Sequence, residues 1–204
     1  MNQDRKFTTR ARTASEVGLG LPALGQFVAL DVESTGTGRE DEVVEVALVA
    51  FKGGRVAHRW CQRVKPGRRI KPGAERVHGI SMADLNGCPP FGAVAGYVER
   101  YVERAGVVVA HNLSFDRRLL EQSGLVWPEG VREVCTDQLA RSMRTIGLVA
   151  SRRTTLDALC EEVGVPLLGH HAAAADAEAC GRLLLALVDR YGEGAGQGEL
   201  EVVS

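Results

Sequence analysis

The chain has 204 residues, of which 45% are hydrophobic and 25% are charged, and its formal net charge is −1. These values are typical of one globular α/β domain with a sizeable core, and they exclude a protein that holds nucleic acid through overall positive charge. No apolar run approaches the length that spans a bilayer, so we expect no membrane partner.

The spacing of the cysteines and the composition of the two terminal segments bear on export and on flexibility. Five cysteines are widely spaced without a C-x-x-C pair, which favours reduced thiols in a cytoplasmic protein over a disulfide framework or a zinc site. Residues 17–30 are uncharged, as in a secretory leader, but a proline and three glycines interrupt them and their removal would delete a central strand. We expect residues 1–24 to form a flexible arm and the acidic, Gly-rich residues 192–204 to form a disordered tail.

The first predicted element is a buried strand that begins at Phe27 and ends in the sequence Asp31-Val-Glu33-Ser-Thr-Gly36. Because side chains alternate along a strand, Asp31 and Glu33 point to the same side of the sheet. Two carboxylates held together repel, and one takes up a proton unless a cation lies between them. Taken alone, such a pair is common, and its ordinary interpretation is two strand-end acids facing solvent.

A second and a third strand are predicted over residues 42–51 and 55–64, joined by a Lys-Gly-Gly turn. Residues 55–76 contain eight lysines and arginines against one acid, Glu75. The ordinary interpretation of this charge run is a solvated hairpin face, and the alternative is a surface that follows a phosphate backbone.

The middle of the chain alternates helices and strands. We predict a helix over residues 89–104 and a short strand over 107–110 that leads into His111-Asn112-Leu-Ser-Phe115-Asp116. Asn112 is a suitable N-cap for a helix that ends near Ser123, which places Asp116 in the first turn. Open α/β sheets carry their sites at this carboxyl edge of the strands.

Further elements complete the pattern: a strand over residues 131–136, then helices over 137–144 and 154–163. The sequence His170-His171-Ala-Ala-Ala-Ala-Asp176 opens a last helix, which runs to about Tyr191. Five helical residues turn by roughly 500°, or about 140° from the starting face, so His171 and Asp176 cannot share one helix face. We therefore expect His171 in the lead-in loop and Asp176 on the inward face, where alanines let the helix approach the sheet.

Three segments in this order, D-x-E, H-N-x-x-F-D and H-x-A-x-x-D, closely resemble the motifs of the DEDDh (DnaQ-like) exonucleases. The resemblance runs from about Phe27 to Tyr191 and includes residues 72–80 and 155–160. It implies an α/β, ribonuclease H-like fold with a five-stranded mixed sheet, its second strand antiparallel to the rest, and helices on both faces. It also implies an exonuclease domain over residues 25–191.

The same resemblance implies the roles of the site residues. Asp31, Glu33, Asp116 and Asp176 would be the ligands of two Mg²⁺ or Mn²⁺ ions, and His171, which has the family's spacing to Asp176, would be the general base. The candidates for substrate binding are Ser34, Thr35, Gly36, His111, Asn112 and Phe115. His111 also has a purely structural interpretation, Phe115 has one as a core residue, and His78 has one as a loop histidine.

The implied activity is metal-dependent 3′→5′ hydrolysis of single-stranded or frayed DNA, with release of nucleoside 5′-monophosphates. One alternative is an exoribonuclease that acts on RNA 3′ ends, since nothing in the sequence reports on the 2′-hydroxyl. Others are a subunit that acts bound to a DNA polymerase and an inactive binding relative. The absence of a recognisable clamp-binding tail favours a free-standing enzyme, and the complete acidic set disfavours an inactive one.

Overall fold

The computed structural model describes residues 25–167, 169 and 171–191. The predicted arm over residues 1–24, the predicted tail over 192–204 and the conformation of His170 lie outside the described residues. None of the described helices is long and apolar enough to cross a membrane.

Five strands form one mixed sheet, and their bounds are β1 Gln26–Ser34, β2 Val43–Lys52, β3 Arg55–Arg63, β4 Val107–Ala110 and β5 Arg132–Cys135. Their order across the sheet is β3-β2-β1-β4-β5. β2 is antiparallel to both of its neighbours, whereas β4 and β5 run parallel to β1. The predicted fold class, with an antiparallel second strand, is confirmed.

Six helices are described: α1 Pro72–His78, α2 Gly92–Ala105, α3 Leu113–Gln122, α4 Thr136–Thr145, α5 Leu156–Val163 and α6 Ala173–Tyr191. The sequence pattern did not predict α1. It begins at Pro72, where the missing N–H would have no helical partner in any case, and it ends at Gly79 with a φ of 71°. Asn112 is the N-cap of α3, but its side chain makes no capping hydrogen bond, contrary to the prediction.

The alternation of side chains along β1 divides the core between the two faces of the sheet. Phe27 and Ala29 face α4, α5 and α6, while Val28 and Leu30 face α2 and α3. All four are at most 1% exposed. Asp31 and Glu33 continue the Phe27 side of β1, and they therefore emerge under α6.

Small residues bring α6 close to the sheet. Ala173 and Ala177 are completely buried, and a Cβ at Gly181 would collide with the ring of Phe51 on β2. This approach, predicted from the run of alanines, places the first turn of α6 beside the carboxyl end of β1.

Candidate metal centre and active-site cleft

Three carboxylates meet where the end of β1 faces the first turn of α6. One carboxylate oxygen from each of Asp31, Glu33 and Asp176 lies within 4.8 Å of the other two. Asp31 and Glu33 are partly exposed, and Asp176 is only 6% exposed. Carboxylate oxygens at this spacing are suitable ligands for a hard divalent cation.

Asp116 is a fourth acid at the same place. It lies in the first turn of α3, is only 4% exposed, and its carboxylate accepts a hydrogen bond from the backbone N–H of Val32. Its charge is the strongest electrostatic influence on Asp31, after burial. The structure thus brings together all four acids that the motifs indicated.

Without a bound cation, burial and mutual repulsion oppose the simultaneous ionisation of these acids. Burial raises the pKa of Asp116 to about 8. Burial and then the charges of Asp176, Glu45 and Asp116 raise the pKa of Glu33 to about 8. The pKa of Asp31 is also raised well above its ordinary value, first by burial and then by Asp116 and Glu33. Such shifts favour either bound protons or bound cations at neutral pH.

His171 lies at the rim of this cluster, in the loop before α6. It is the only non-glycine residue in the described part of the chain with a positive φ, 67°. Its backbone N–H donates a hydrogen bond to Oδ2 of Asp176 at 3.1 Å, and its side chain is exposed and lines the cleft. The predicted placement in the lead-in loop is therefore correct.

Glu45 is a fifth acid that the sequence reasoning missed. It pairs with Glu33 across β1 and β2, is 7% exposed, and accepts hydrogen bonds from Arg63 Nε at 3.0 Å and from the backbone N–H of Ala173 at 3.3 Å. A charged residue inside the otherwise apolar run of β2 was the signal that could have identified it. Its contact with Ala173 ties the start of α6 to the sheet.

The turn after β1 is stabilised by hydrogen bonds of its own side chains and by Asp41. Thr35 is completely buried, and its hydroxyl donates to Oδ1 of Asp41 at 2.9 Å while accepting from the backbone N–H of Glu42. Oδ2 of Asp41 accepts from Lys71 at 2.6 Å. The hydroxyl of Ser34 donates to the carbonyl of Gly36 at 2.7 Å.

Both hydroxyls of the Ser-Thr-Gly turn form hydrogen bonds within the protein. The contacts of Ser34, Thr35 and Gly36 with a substrate stay a prediction. The partners in sequence-distant segments, Asp41 and Lys71, could not be assigned from the motif alone.

His78 supports the same strand end. Its Nε2 lies 3.1 Å from the carbonyl oxygen of Ser34, and its Nδ1 accepts from the backbone N–H of Ile80 at 3.0 Å. Burial lowers the pKa of His78, so the neutral ring with Nε2 as donor satisfies both contacts. His78 thus lies at the end of α1, where it stabilises the end of β1, rather than in a loop.

The three remaining candidates lie on the other side of the acids, where His111, Asn112 and Phe115 line the cleft. Nδ1 of His111 lies 2.9 Å from the hydroxyl of Thr136, and burial lowers the pKa of His111, which fits its structural interpretation. Phe115 is partly buried against the core of α2 and α3, and the guanidinium of Arg118 lies 5.2 Å from its ring centre.

The cleft that contains these groups has a volume of about 460 Å³. Asp31, Asp116 and Asp176 line it on one side, and α4 with the start of α5 forms a wall through Asp137, Arg141, Thr154 and Asp157. The sequence reasoning did not identify this wall, because its residues carry no motif spacing of their own.

The basic segment over residues 55–76 does not form one free patch. Four of its eight cations are paired with acids, as Arg59–Glu178, Arg63–Glu45, Arg68–Glu40 and Lys71–Asp41. The pairs of Arg63 and Lys71 fasten Glu45 and Asp41, which lie beside the site. These ion pairs favour a structural role for Arg63 and Lys71 over a phosphate-binding role.

Comparisons with known proteins agree with this geometry. The sequence matches the RNase_T family model, described as Exonuclease, over residues 28–184. It is 30% identical over 169 residues to DNA polymerase III PolC-type from Thermotoga maritima, covering 80% of this chain and 12% of that protein. It is 29% identical over 171 residues to 3′-5′ exonuclease DinG from Bacillus subtilis, covering 81% of this chain and 18% of that protein.

The chain spans less than a fifth of the length of both of these relatives. A solved structure of Exonuclease X in complex with 5′ overhanging duplex DNA has a TM-score of 0.68 and 27% identity, and the match covers 84% of this chain and 96% of that chain. The resemblance inferred from the three motifs is therefore confirmed at the level of the family. Since the family model covers most of the sequence, the chain belongs to the RNase_T exonuclease family.

Proposed function

We propose that the protein is a metal-dependent 3′→5′ exonuclease that releases nucleoside 5′-monophosphates from single-stranded or frayed DNA, and that residues 25–191 are its exonuclease domain. The observation that carries this proposal is the convergence of four carboxylates from three separate elements at the carboxyl end of β1. Asp31 and Glu33 come from β1, Asp116 comes from α3 and Asp176 comes from α6. His171 stands at their rim.

The four acids would hold two divalent cations, Mg²⁺ or Mn²⁺. Their chemistry fits, because these ions prefer carboxylate oxygens, and because the raised pKa values of Asp31, Glu33 and Asp116 indicate a site short of positive charge. Two such cations would balance the four negative charges, polarise the scissile phosphodiester and lower the pKa of a water.

His171 would act as the general base. Its imidazole is exposed to the cleft, where it could accept the proton of the attacking water. The hydrogen bond from its own backbone N–H to Asp176 fixes its position relative to the acids.

The terminal nucleotide would lie between the turn after β1 and the start of α3. Backbone groups of Ser34, Thr35 and Gly36 would contact it from one side, and Asn112 and Phe115 from the other. The ring of Phe115 lines the cleft and could stack on a base, although most of its packing is with the core. A site that accepts a chain end in this way explains exonucleolytic rather than internal cleavage.

The relatives support DNA as the substrate and 3′→5′ as the direction. The DinG relative is named a 3′-5′ exonuclease, and Exonuclease X was solved with DNA. The PolC relative makes a DNA polymerase a candidate partner, present either as a separate subunit or in the same polypeptide.

The test is a gel assay on 5′-labelled single-stranded DNA and RNA of one sequence, with Mg²⁺, Mn²⁺ or EDTA. We expect a metal-dependent ladder that shortens from the 3′ end, more strongly on DNA. Asp31→Asn, which keeps the side chain's size, should lower the rate by more than about 100-fold, since even residues that only support metal ligands contribute 10–100-fold.

Two outcomes would change the proposal. A stronger ladder on RNA would assign the chain to the exoribonucleases of the family. No ladder on either substrate, with tight binding retained, would favour a binding subunit whose role is exercised with a polymerase.

A further inference from the structure

The wall of the cleft contributed by α4 contains one permanent positive charge. Among the described residues that line the cleft, Arg141 is the only lysine or arginine, whereas five of them are aspartates. A polyanionic strand that enters this cleft therefore meets a single fixed cation of the protein, apart from any bound metal.

Arg141 is anchored in a way that leaves its outer nitrogens available. Its Nε donates to both carboxylate oxygens of Asp137, at 3.0 and 2.9 Å, one helical turn earlier. The two terminal nitrogens of Arg141 make no hydrogen bond to the described residues, and the side chain is 60% exposed. The anchored guanidinium thus presents a free fork to the cleft, which is the geometry that binds phosphate oxygens in pairs.

Asp137, which holds Arg141, is itself fixed to the site. Its backbone N–H donates to the carbonyl of His111 at 3.1 Å. Although partial burial would raise the pKa of Asp137, hydrogen bonds from Thr154 and Arg141 hold it below its ordinary value. The pair is therefore charged at neutral pH and connected to the carboxyl end of β4.

The topology of the sheet sets the distance between Arg141 and the acids. α4 follows β5 directly, and β5 is separated from β1 by β4 alone. Since adjacent strands lie about 4.8 Å apart, β5 and the start of α4 are displaced from β1 by roughly 10 Å. Arg141 lines the cleft on this displaced side, so a strand whose scissile phosphate is bound at the end of β1 could bring one of its following phosphates to the Arg141 fork.

We propose that Arg141 binds a backbone phosphate on the 5′ side of the scissile bond and so positions the strand whose 3′ end is hydrolysed. This inference rests on the proposed function and adds a positioning residue to it. The contact would be independent of sequence, because it involves only the backbone.

The test compares Arg141→Ala with Arg182→Ala. Arg182 forms an exposed i,i+4 ion pair with Glu178 that matches the Arg141–Asp137 pair, but it is not among the residues that line the cleft. Both variants are assayed on single-stranded dT10 and on the p-nitrophenyl ester of thymidine 5′-monophosphate, which has a single phosphate. Affinity for dT10 is also measured by fluorescence anisotropy with Ca²⁺, over a range of salt concentrations.

For Arg141→Ala we expect KM and Kd for dT10 to rise about tenfold, as for the loss of a charged hydrogen bond, with a much smaller change in kcat. The slope of log Kd against log salt should decrease by about 0.7, the value for one phosphate contact on a single strand. On the ester, Arg141→Ala should differ from the wild type by no more than Arg182→Ala does. Arg141→Lys should restore the salt slope but only part of the affinity.

An equal loss on dT10 and on the ester would overturn the inference, because it would place Arg141 at the scissile phosphate or in the fold. Behaviour identical to Arg182→Ala on dT10 would overturn it as well. If the wild type hydrolyses neither substrate with Mg²⁺ or Mn²⁺, the proposed function fails, and the anisotropy series still decides whether Arg141 contacts phosphate.

Discussion

The backbone and the side chain of His171 make different contacts. The backbone N–H donates a hydrogen bond to Asp176, and the imidazole lines the cleft. Removing the imidazole should therefore leave the proposed metal ligands in place. We expect His171→Ala to lower kcat by about 10²–10⁴-fold, the usual contribution of a general base, with little change in the Mg²⁺ concentration needed for half-maximal activity.

The matched control for this variant is His58→Ala. His58 is another exposed histidine, but it lies on β3 and packs against Tyr101 on the opposite face of the sheet, with 6.0 Å between ring centres. Turnover near the wild-type value for His171→Ala would remove the proposed role, and a large loss in His58→Ala would show that the assay reports on stability instead.

Which residues of the site could be predicted depends on how local their arrangement is. Strand alternation alone placed Asp31 and Glu33 on one side, and helix geometry alone placed His171 before α6. The charge of Glu45 inside the apolar run of β2 marked it as unusual, but its pairing with Glu33 depends on strand register. The role of the buried Thr35 hydroxyl could not be predicted, because it depends on Asp41, whose position is set only once the chain is folded.

At the level of elements, the site depends on how closely α6 approaches the sheet. The Cβ of alanine at position 181 would overlap the ring of Phe51, which is 1% exposed and stacks on Phe27 at 4.7 Å. Gly181→Ala should therefore destabilise the protein by about 1–3 kcal/mol, although alanine favours a helix over glycine. The measurement is chemical denaturation.

Two further variants make this prediction specific. Gly92 begins α2, and no atom lies within 4 Å of the position that a Cβ would take there, so Gly92→Ala should be neutral or stabilising by up to about 1 kcal/mol. Phe51→Leu should relieve part of the loss caused by Gly181→Ala. A Gly181→Ala protein as stable as the wild type would show that the helix can move away without penalty.

The elements themselves were largely predictable, and the exception is informative. The alternating and helical apolar patterns identified all five strands and five of the six described helices. α1 was missed because Pro72 and Gly73 favour a loop when considered alone, whereas a proline is well tolerated in the first turn of a helix.

For the molecule as a whole, the crowded acids couple stability to pH and to metal. Glu33 and Asp116 have pKa values near 8 in the fold, against ordinary values of 4.5 and 3.8. Between about pH 5 and 8 the folded protein thus holds protons that the unfolded chain has released, so the metal-free stability should decrease as pH rises. If these acids bind Mg²⁺ as proposed, the cation would take the place of those protons and should reverse the loss.

This coupling can be measured by thermal melting at pH 5.5 and pH 8, with EDTA or with Mg²⁺. We expect the Mg²⁺-dependent increase in Tm to be larger at pH 8 by at least about 3 °C, which corresponds to about 1 kcal/mol for a domain of this size. Asp31→Asn should reduce the increase at both pH values. An increase that is equal at the two pH values, or larger at pH 5.5, would contradict the coupling.

The dependence of the site on α6 also has a consequence for biosynthesis. The proposed ligands come from β1, α3 and α6, so the contacts of Asp31 and Glu33 with Asp176 cannot form before α6 has been synthesised. A ribosome that has translated only β1 to α5 holds a chain with Asp31, Glu33 and Asp116 but without Asp176 or His171. If the proposed function is correct, such a nascent chain would lack a complete catalytic centre, and it would not degrade nucleic acid before α6 covers its sheet.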